Sequence, residues 1–181
     1  MMLQGIHHVA YRCKDAKATV LWYQKMLDMK FVLAIAEDRV PSTQAPDPYM
    51  HVFLDAGRGN ILAFFELPNC APMGRDFATP QWVQHIALEV ADRATLLQYQ
   101  AHLLSNDVEV VGITDHGIFH SIYFFDPNGH RLELTCRDLH EEKQLQLLDQ
   151  VKWAMLEEWS QTKRAPRHAA FLHEKSQESI R

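Results

Sequence analysis

The chain has 181 residues, of which 47% are hydrophobic, 10% aromatic and 23% charged, and this ordinary composition excludes collagenous, low-complexity and wholly disordered proteins. The length favours one domain with a sizeable core, and the net charge of −5 argues against a protein that coats nucleic acid. No apolar run is long enough to span a membrane. Three scattered cysteines and no evident signal peptide predict a cytoplasmic protein.

The sequence contains one structural unit twice. The segment 8–12 (HVAYR) is matched 77 positions later by the segment 85–89 (HIALE). Each copy reads as an alternating strand, then an aspartate suited to cap a helix (Asp15 or Asp92), then an amphipathic helix of about three turns. Each copy closes with a strand-like run that carries a glutamate, Glu66 in the first copy and Glu133 in the second.

Between helix and glutamate each copy has room for further strands. In the first copy a loop with three prolines at 40–48 takes up the extra length, and in the second copy 126–129 (DPNG) predicts a hairpin turn. The predicted order is strand, helix and three strands, twice, in modules of about 4–68 and 82–136. The fold class is therefore α+β, with one domain over 1–137.

The pattern changes beyond Arg137. Apolar residues at steps of three or four predict an added helix over 138–160, which packs on the domain or on a second subunit. The basic segment 161–181 is expected to be a flexible tail.

Four residues at repeat-related strand positions could hold a metal ion. Side chains alternate across a strand, so His8, His85 and the two glutamates could converge if the modules fold alike and pair their sheets. Two imidazoles and two carboxylates suit Zn²⁺, Ni²⁺, Co²⁺, Mn²⁺ or Fe²⁺. A buried glutamate such as Glu66 also needs a partner, which a metal ion would supply.

On these residues, and on 126–133 (DPNGHRLE), the chain resembles the vicinal oxygen chelate superfamily over about 4–137. This superfamily includes glyoxalase I, methylmalonyl-CoA epimerase, bleomycin- and fosfomycin-resistance proteins and extradiol dioxygenases. The resemblance implies two βαβββ modules that form a cupped eight-stranded mixed sheet around a divalent metal. It further implies a homodimer, acting on a small molecule rather than on nucleic acid or a membrane, and these ligands: His8, Glu66, His85 and Glu133.

Three functions are consistent with this resemblance. Glyoxalase-like lyase or isomerase chemistry is favoured, with Glu133, and second Glu66, as the base that moves a proton beside a carbonyl. The alternative is extradiol cleavage of a catechol by Fe²⁺ and O₂. This reaction needs two histidines and one carboxylate, which His8, His85 and Glu133 would supply, with Tyr123 contacting the substrate. The third is a metal-free binding or resistance protein that uses the cup as a pocket.

Other residues are candidates for contact with the substrate. Arg12 matches a position that contacts the glutathione carboxylate in glyoxalase I. Phe64 has the strand parity of Glu66, and Glu89 has that of His85. His116 stands near the place where glyoxalase I has a cationic residue, and His116 or His120 could substitute for the acid–base histidine of the dioxygenases. For His51, beside the long loop, the sequence leaves open whether the residue is exposed or functional.

Overall fold

The computed structural model describes residues 2–74, 76–138 and 141–167, and for Glu141 it describes only the backbone. The predicted order of elements and the α+β class are confirmed. The first module contains β1 (Val9–Cys13), α1 (Ala16–Leu27), β2 (Lys30–Glu37), β3 (Tyr49–Asp55) and β4 (Ile61–Glu66). The second contains β5 (Ile86–Glu89), α2 (Arg93–Ser105), β6 (Val111–Asp115), β7 (Phe119–Phe125) and β8 (Arg131–Arg137), and α3 (Glu141–Thr162) follows.

Each module forms one four-stranded mixed sheet. The order is β1-β4-β3-β2 in the first sheet and β5-β8-β7-β6 in the second. In the first sheet β1 runs parallel to β4, while β3 is antiparallel to both β4 and β2. That the two sheets curve into a single cup stays a prediction.

Local signals in the sequence explain where α1 begins and ends. The side chain of Asp15 caps the first turn by accepting a hydrogen bond from Ala18 N at 2.7 Å. Asp28 ends the helix in a left-handed conformation, with φ of 54°, and its N–H bonds to Gln24 O. In the second module Asp92 accepts from Thr95 N at 2.8 Å, which satisfies a first-turn donor of α2 in the same way.

The two faces of the first sheet have different roles. Ala63 on β4 pairs with Ala10 on β1 and with Phe53 on β3, and paired residues on neighbouring strands point to the same side. Phe64, next along β4, points the other way and lies with its ring 5.0 Å from that of Tyr23 in α1. Helix α1 therefore packs on the Phe64 side, and the Ala63 side is the face opposite α1.

Contacts divide the described chain into two compact units. The first comprises the residues up to 86 together with 102–109 and 124–132, and the second comprises 87–101, 110–123 and the residues from 133 onward. The units thus interleave along the sequence and do not coincide with the two modules.

A buried polar cluster explains why residues 124–132 belong to the first unit. The Asp126 carboxylate accepts hydrogen bonds from Tyr23 Oη at 3.1 Å and from Asn128 Nδ2 at 2.9 Å. Asn128 Nδ2 also donates to Thr19 Oγ1 at 3.1 Å, and Asn128 Oδ1 accepts from Lys14 N at 2.9 Å. Burial and the Asp126 charge raise the pKa of Tyr23 well above its ordinary value. The predicted turn at 126–129 therefore anchors α1.

The C-terminal region contains the predicted helix. Helix α3 spans 22 residues, and no helix in the described part of the chain is long and apolar enough to cross a membrane. Most of the predicted tail, residues 168–181, lies outside the described residues.

Candidate functional site

His8 precedes β1 and lies on the face opposite α1. Its ring centroid is 5.6 Å from that of Phe53 and 6.0 Å from that of His51, both of which point to this face. Its Nδ1 atom lies 2.8 Å from Nδ1 of His7. A histidine at this position can present a ring nitrogen on the same side of the sheet as Ala63 and Phe65.

Glu66 and Phe64 do not have the roles predicted for them. Glu66 Oε2 accepts a hydrogen bond from Ala16 N at 2.7 Å, at the first residue of α1, so its carboxylate satisfies a helix terminus on the α1 side of the sheet. Phe64 is fully buried under α1 and cannot line a pocket on the other face. The prediction that Glu66 joins His8 as a metal ligand is therefore wrong, because the two side chains leave the sheet on opposite faces.

The internal repeat explains how Glu66 came to be matched with Glu133. The order of buried and partly exposed residues along β3 and β4 matches the order along β7 and β8, except near the strand ends. The match requires an offset of 70 residues, which places residue 49 against 119 and residue 61 against 131. At that shift the counterpart of Glu133 is Ala63. The two glutamates share a residue type but do not occupy equivalent positions.

Glu133 is a buried carboxylate in the second unit. It is 3% exposed, and Oε1 accepts a short hydrogen bond from the hydroxyl of Ser121, which is itself fully buried. Ser121 and Glu133 belong to neighbouring strands and meet on one face of the second sheet. A buried carboxylate is costly unless hydrogen bonds or a cation compensate it, so this position suits a functional anion.

Tyr123 and His116 form a hydrogen-bonded pair in the same unit. His116 Nε2 and Tyr123 Oη are 2.7 Å apart, and Tyr123 has the strand parity of Ser121. His120 has the opposite parity and lies 3.8 Å from Asp115 and 3.9 Å from Asp138. Strand alternation thus separates His120 from the side of β7 that carries the tyrosine.

His85 immediately precedes β5, and Glu89 is the last residue of that strand. Nδ1 of His85 lies 3.1 Å from the carbonyl oxygen of Val83, an arrangement in which Nδ1 donates and Nε2 keeps the lone pair that a metal ion requires. His85 also lines a cavity of about 540 Å³ in the first unit, together with Tyr11, His130 and Arg131. Glu89 instead accepts from Arg137 Nε at 2.7 Å and forms an ion pair.

Two polar atoms in the first unit are buried without a hydrogen-bond partner. His51 is 7% exposed, its ring stacks on Phe65 with centroids 3.6 Å apart, and its Nε2 contacts no donor or acceptor among the described residues. Burial, followed by the neighbouring His8, lowers the pKa of His51. Arg12 donates from Nη2 to Ala71 O at 2.6 Å, while its Nε has no partner in the described chain.

The predicted ligands are not assembled as a group. Within residues 2–74, 76–138 and 141–167, no three His, Cys, Asp or Glu side chains lie together in a way that would hold a metal ion. His8 and His85 belong to the first unit and Glu133 to the second. The chemistry of the set still fits a first-row divalent ion, since it offers two imidazoles and a carboxylate.

Comparison with known proteins identifies the family. The family model described as the glyoxalase/bleomycin resistance protein/dioxygenase superfamily matches residues 5–134, which is most of the chain. The chain belongs to this superfamily. The resemblance inferred from 126–133 and the repeated histidines is thereby confirmed.

A curated protein is 30% identical to the chain over 140 residues. It is "Putative ring-cleaving dioxygenase MhqA" from Bacillus subtilis (strain 168), and the match covers 75% of this chain and 41% of MhqA. The chain therefore spans less than half the length of that relative.

Solved structures share the superfamily fold. A glyoxylase/bleomycin resistance protein/dioxygenase domain from Frankia sp. EAN1pec matches with a TM-score of 0.59 and 17% identity, covering 76% of this chain and 100% of that one. The fosfomycin resistance protein FosX from Listeria monocytogenes matches with a TM-score of 0.56 and 20% identity, covering 77% and 98%. FosX has also been crystallised with Mn(II) and a sulfate ion. At these identities the likeness concerns the fold alone.

Proposed function

We propose that this protein is a metal-dependent ring-cleaving dioxygenase that acts on a catechol. The observation that carries the proposal is the hydrogen bond from Ala16 N to Glu66, because it removes Glu66 from the candidate ligands. The remaining set is His8, His85 and Glu133. Two histidines and one carboxylate characterise Fe²⁺ sites that leave positions open for substrate oxygens and O₂.

The likeness to MhqA supports the same reaction class. At 30% identity over 140 residues, the match extends across both modules of the chain. The ring-cleaving activity named for MhqA is here a proposal for this chain.

The proposed ligands have environments that suit their roles. His85 is oriented by Val83 O in the tautomer that leaves Nε2 as an acceptor, and Glu133 is held in place by Ser121. When bound, a divalent ion would chelate neighbouring oxygens of the substrate and stabilise negative charge on them.

The Tyr123–His116 pair would serve as the proton-handling group. With Nδ1 protonated, His116 accepts from the tyrosine hydroxyl at Nε2 and fixes the direction of that hydroxyl. A hydroxyl held in this way can accept a hydrogen bond from a substrate hydroxyl, so that a proton released there passes to Tyr123 as the tyrosine proton passes to His116. Tyr123 is thus proposed to contact the substrate, and His116 to position it.

Glyoxalase-like lyase or isomerase chemistry is the competing outcome. A set of four ligands, with Glu66 as the second carboxylate, favours this chemistry. That advantage is lost because the Glu66 carboxylate is bonded to the start of α1.

Oxygen uptake separates the two reactions. Protein purified anaerobically and loaded with Fe²⁺ should consume one O₂ per catechol, with both oxygen atoms incorporated into the ring-opened product. Glu133→Gln should lose bound iron and activity, while the matched variant Glu66→Gln should keep both. Turnover that is equal under argon and in air, or loss of iron from Glu66→Gln, would refute the ring-cleaving proposal in favour of the lyase or isomerase.

A further inference from the structure

Helix α3 has a covered side and an exposed apolar side. Gln144 is buried, and half-buried residues follow it at steps of four and three: Leu148, Val151, Met155 and Glu158. Leu145, Leu156 and Trp159 are exposed, and they share another side of the helix because they lie close to whole turns of 3.6 residues apart. Trp153, at the edge of this side, is 74% exposed. We call these four residues the α3 stripe.

The α3 stripe has the character of a contact surface for another protein. Exposed apolar patches rimmed by polar residues mark sites of interaction, and tryptophan is enriched where such contacts are strongest. A lipid surface suits it poorly, because the 22 residues of α3 include five acidic and two basic side chains. Amphipathic helices that bind anionic membranes carry the opposite excess of charge.

The charges along α3 are complementary to those of the same helix in reverse. Glu142 lies in the first turn, whereas Lys163 and Arg164 directly follow the last residue of the helix. Midway between them, Asp149 and Lys152 form an ion pair. In an antiparallel pair of such helices, the acidic end of each copy meets the basic end of the other. A parallel pair would instead place like charges against each other at both ends.

We propose that the α3 stripe binds the same stripe of a second copy of this chain, with the two helices antiparallel about an axis at Lys152. Leu145 then meets the partner's Trp159, and Leu148 meets the partner's Leu156, since the members of each pair lie equally far from Lys152 in the sequence. Such a contact is isologous, so both copies use the same residues and the assembly closes at two helices.

The region around Leu145 has room for the partner's indole ring. An open groove of about 1020 Å³ lies beside the N-terminal half of α3, lined by Arg137, Leu145 and Leu148 among others. The guanidinium of Arg137 is a cation of the kind that stacks on tryptophan. At the axis, the two Asp149–Lys152 ion pairs come together with alternating sign.

This interface is separate from the site and from the family fold. Helix α3 lies beyond residues 5–134, which match the family model, so the surface is additional to the dimer that the superfamily resemblance implies. The proposal does not depend on the proposed function. Two helices in contact over about 20 Å bury less than the roughly 800 Å² per partner of a standard interface, so we expect dissociation constants in the micromolar range.

The mass of the full chain in solution tests the α3 stripe. Sedimentation equilibrium at micromolar concentrations should show wild type associating, and Leu156→Lys should halve its mass, from two chains to one or from four to two. Leu156 is 57% exposed, and the matched control is Leu104→Lys on α2, where the leucine is 54% exposed. Circular dichroism should show both variants folded. The proposal is overturned if wild type does not associate, if Leu156→Lys keeps the wild-type mass, or if Leu104→Lys lowers the mass equally.

Charge reversal tests the antiparallel direction. Glu142→Lys and Lys163→Glu should each weaken association about tenfold at low salt, because each replaces two attractions across the symmetric pair by two repulsions. The double variant should associate as wild type does. Residues 142 and 163 are about 30 Å apart in one chain, so such a restoration acts between copies. Single variants that associate as wild type does, or a double variant weaker than either single one, would refute the antiparallel pairing.

Discussion

Replacement of Glu66 distinguishes a structural carboxylate from a metal ligand. In Glu66→Ala the N–H of Ala16, at the first residue of the 12-residue helix α1, loses its charged acceptor. A charge-assisted hydrogen bond at a partly buried helix N-terminus contributes about 1 to 2 kcal/mol. For a chain of this size, that loss lowers the melting temperature by about 3 to 6 °C. Glu66→Gln keeps a neutral hydrogen-bond acceptor, so its free energy of unfolding should fall by about half as much as that of Glu66→Ala.

The assay combines urea denaturation, followed by circular dichroism, with metal analysis of the same samples. We expect Glu66→Ala to be less stable than Glu66→Gln, and both to be less stable than wild type. Both variants should bind as much metal as wild type does. Glu133→Gln is the positive control and should lose the ion. The reasoning is refuted if Glu66→Ala binds the ion at least tenfold more weakly while its urea midpoint, measured without metal, equals that of wild type.

Other buried groups give further testable outcomes. Asp126→Ala removes the acceptor of Tyr23 Oη and should cost about 3 kcal/mol or more in urea unfolding, whereas Tyr23→Phe, which deletes one of the donors, should cost about 1 kcal/mol. Burial raises the pKa of Cys13 to about 11, so the folded state holds the thiol proton more tightly than the unfolded chain does. Stability should therefore be constant below pH 9 and fall between pH 9 and 11. That decline should be smaller in Cys13→Ala, and an identical decline in both proteins would contradict the assignment. Tyr123→Phe should lower kcat for catechol by about tenfold or more at unchanged iron content, and an unchanged kcat would remove the tyrosine from the proposed mechanism.

The features that the sequence predicted are those determined by neighbouring residues. Asp15 and Asp92 accept hydrogen bonds in the first turns of α1 and α2, and the segment 126–129 turns with Gly129 at φ of 95°. The repeat predicted strand, helix and three strands twice, and this is the observed order. The helix caps and the turn depend on residues three or four positions apart, so they can be predicted without knowing which strands pair.

The site required information that the sequence does not contain. Strand alternation correctly placed Glu66 on the same side as Phe64, but the position of α1 decides which side that is. The sequence also suggests that the loop at 40–48 accounts for all ten extra residues between histidine and glutamate in the first copy. In the structure the offset between equivalent positions falls from 77 before the loop to 70 after it, so the loop accounts for seven residues. The other three are the distance along β4 from Ala63 to Glu66. The sequence leaves open whether His51 is exposed, and the structure shows it buried and paired with Phe65 across β3 and β4.

The cluster around Asp126 has a consequence for the order in which the chain can fold. Tyr23 and Asp126 are separated by 103 residues, and Thr19 and Asn128 by 109, yet they share one buried network. Contacts of such long range slow folding, because a long loop must close before the contacts form. During synthesis, helix α1 therefore waits for most of the chain to emerge before its polar groups are satisfied. A fragment that ends after β4 would leave Tyr23 and Thr19 without these partners, so the first repeat is a unit of sequence but not an independent unit of folding.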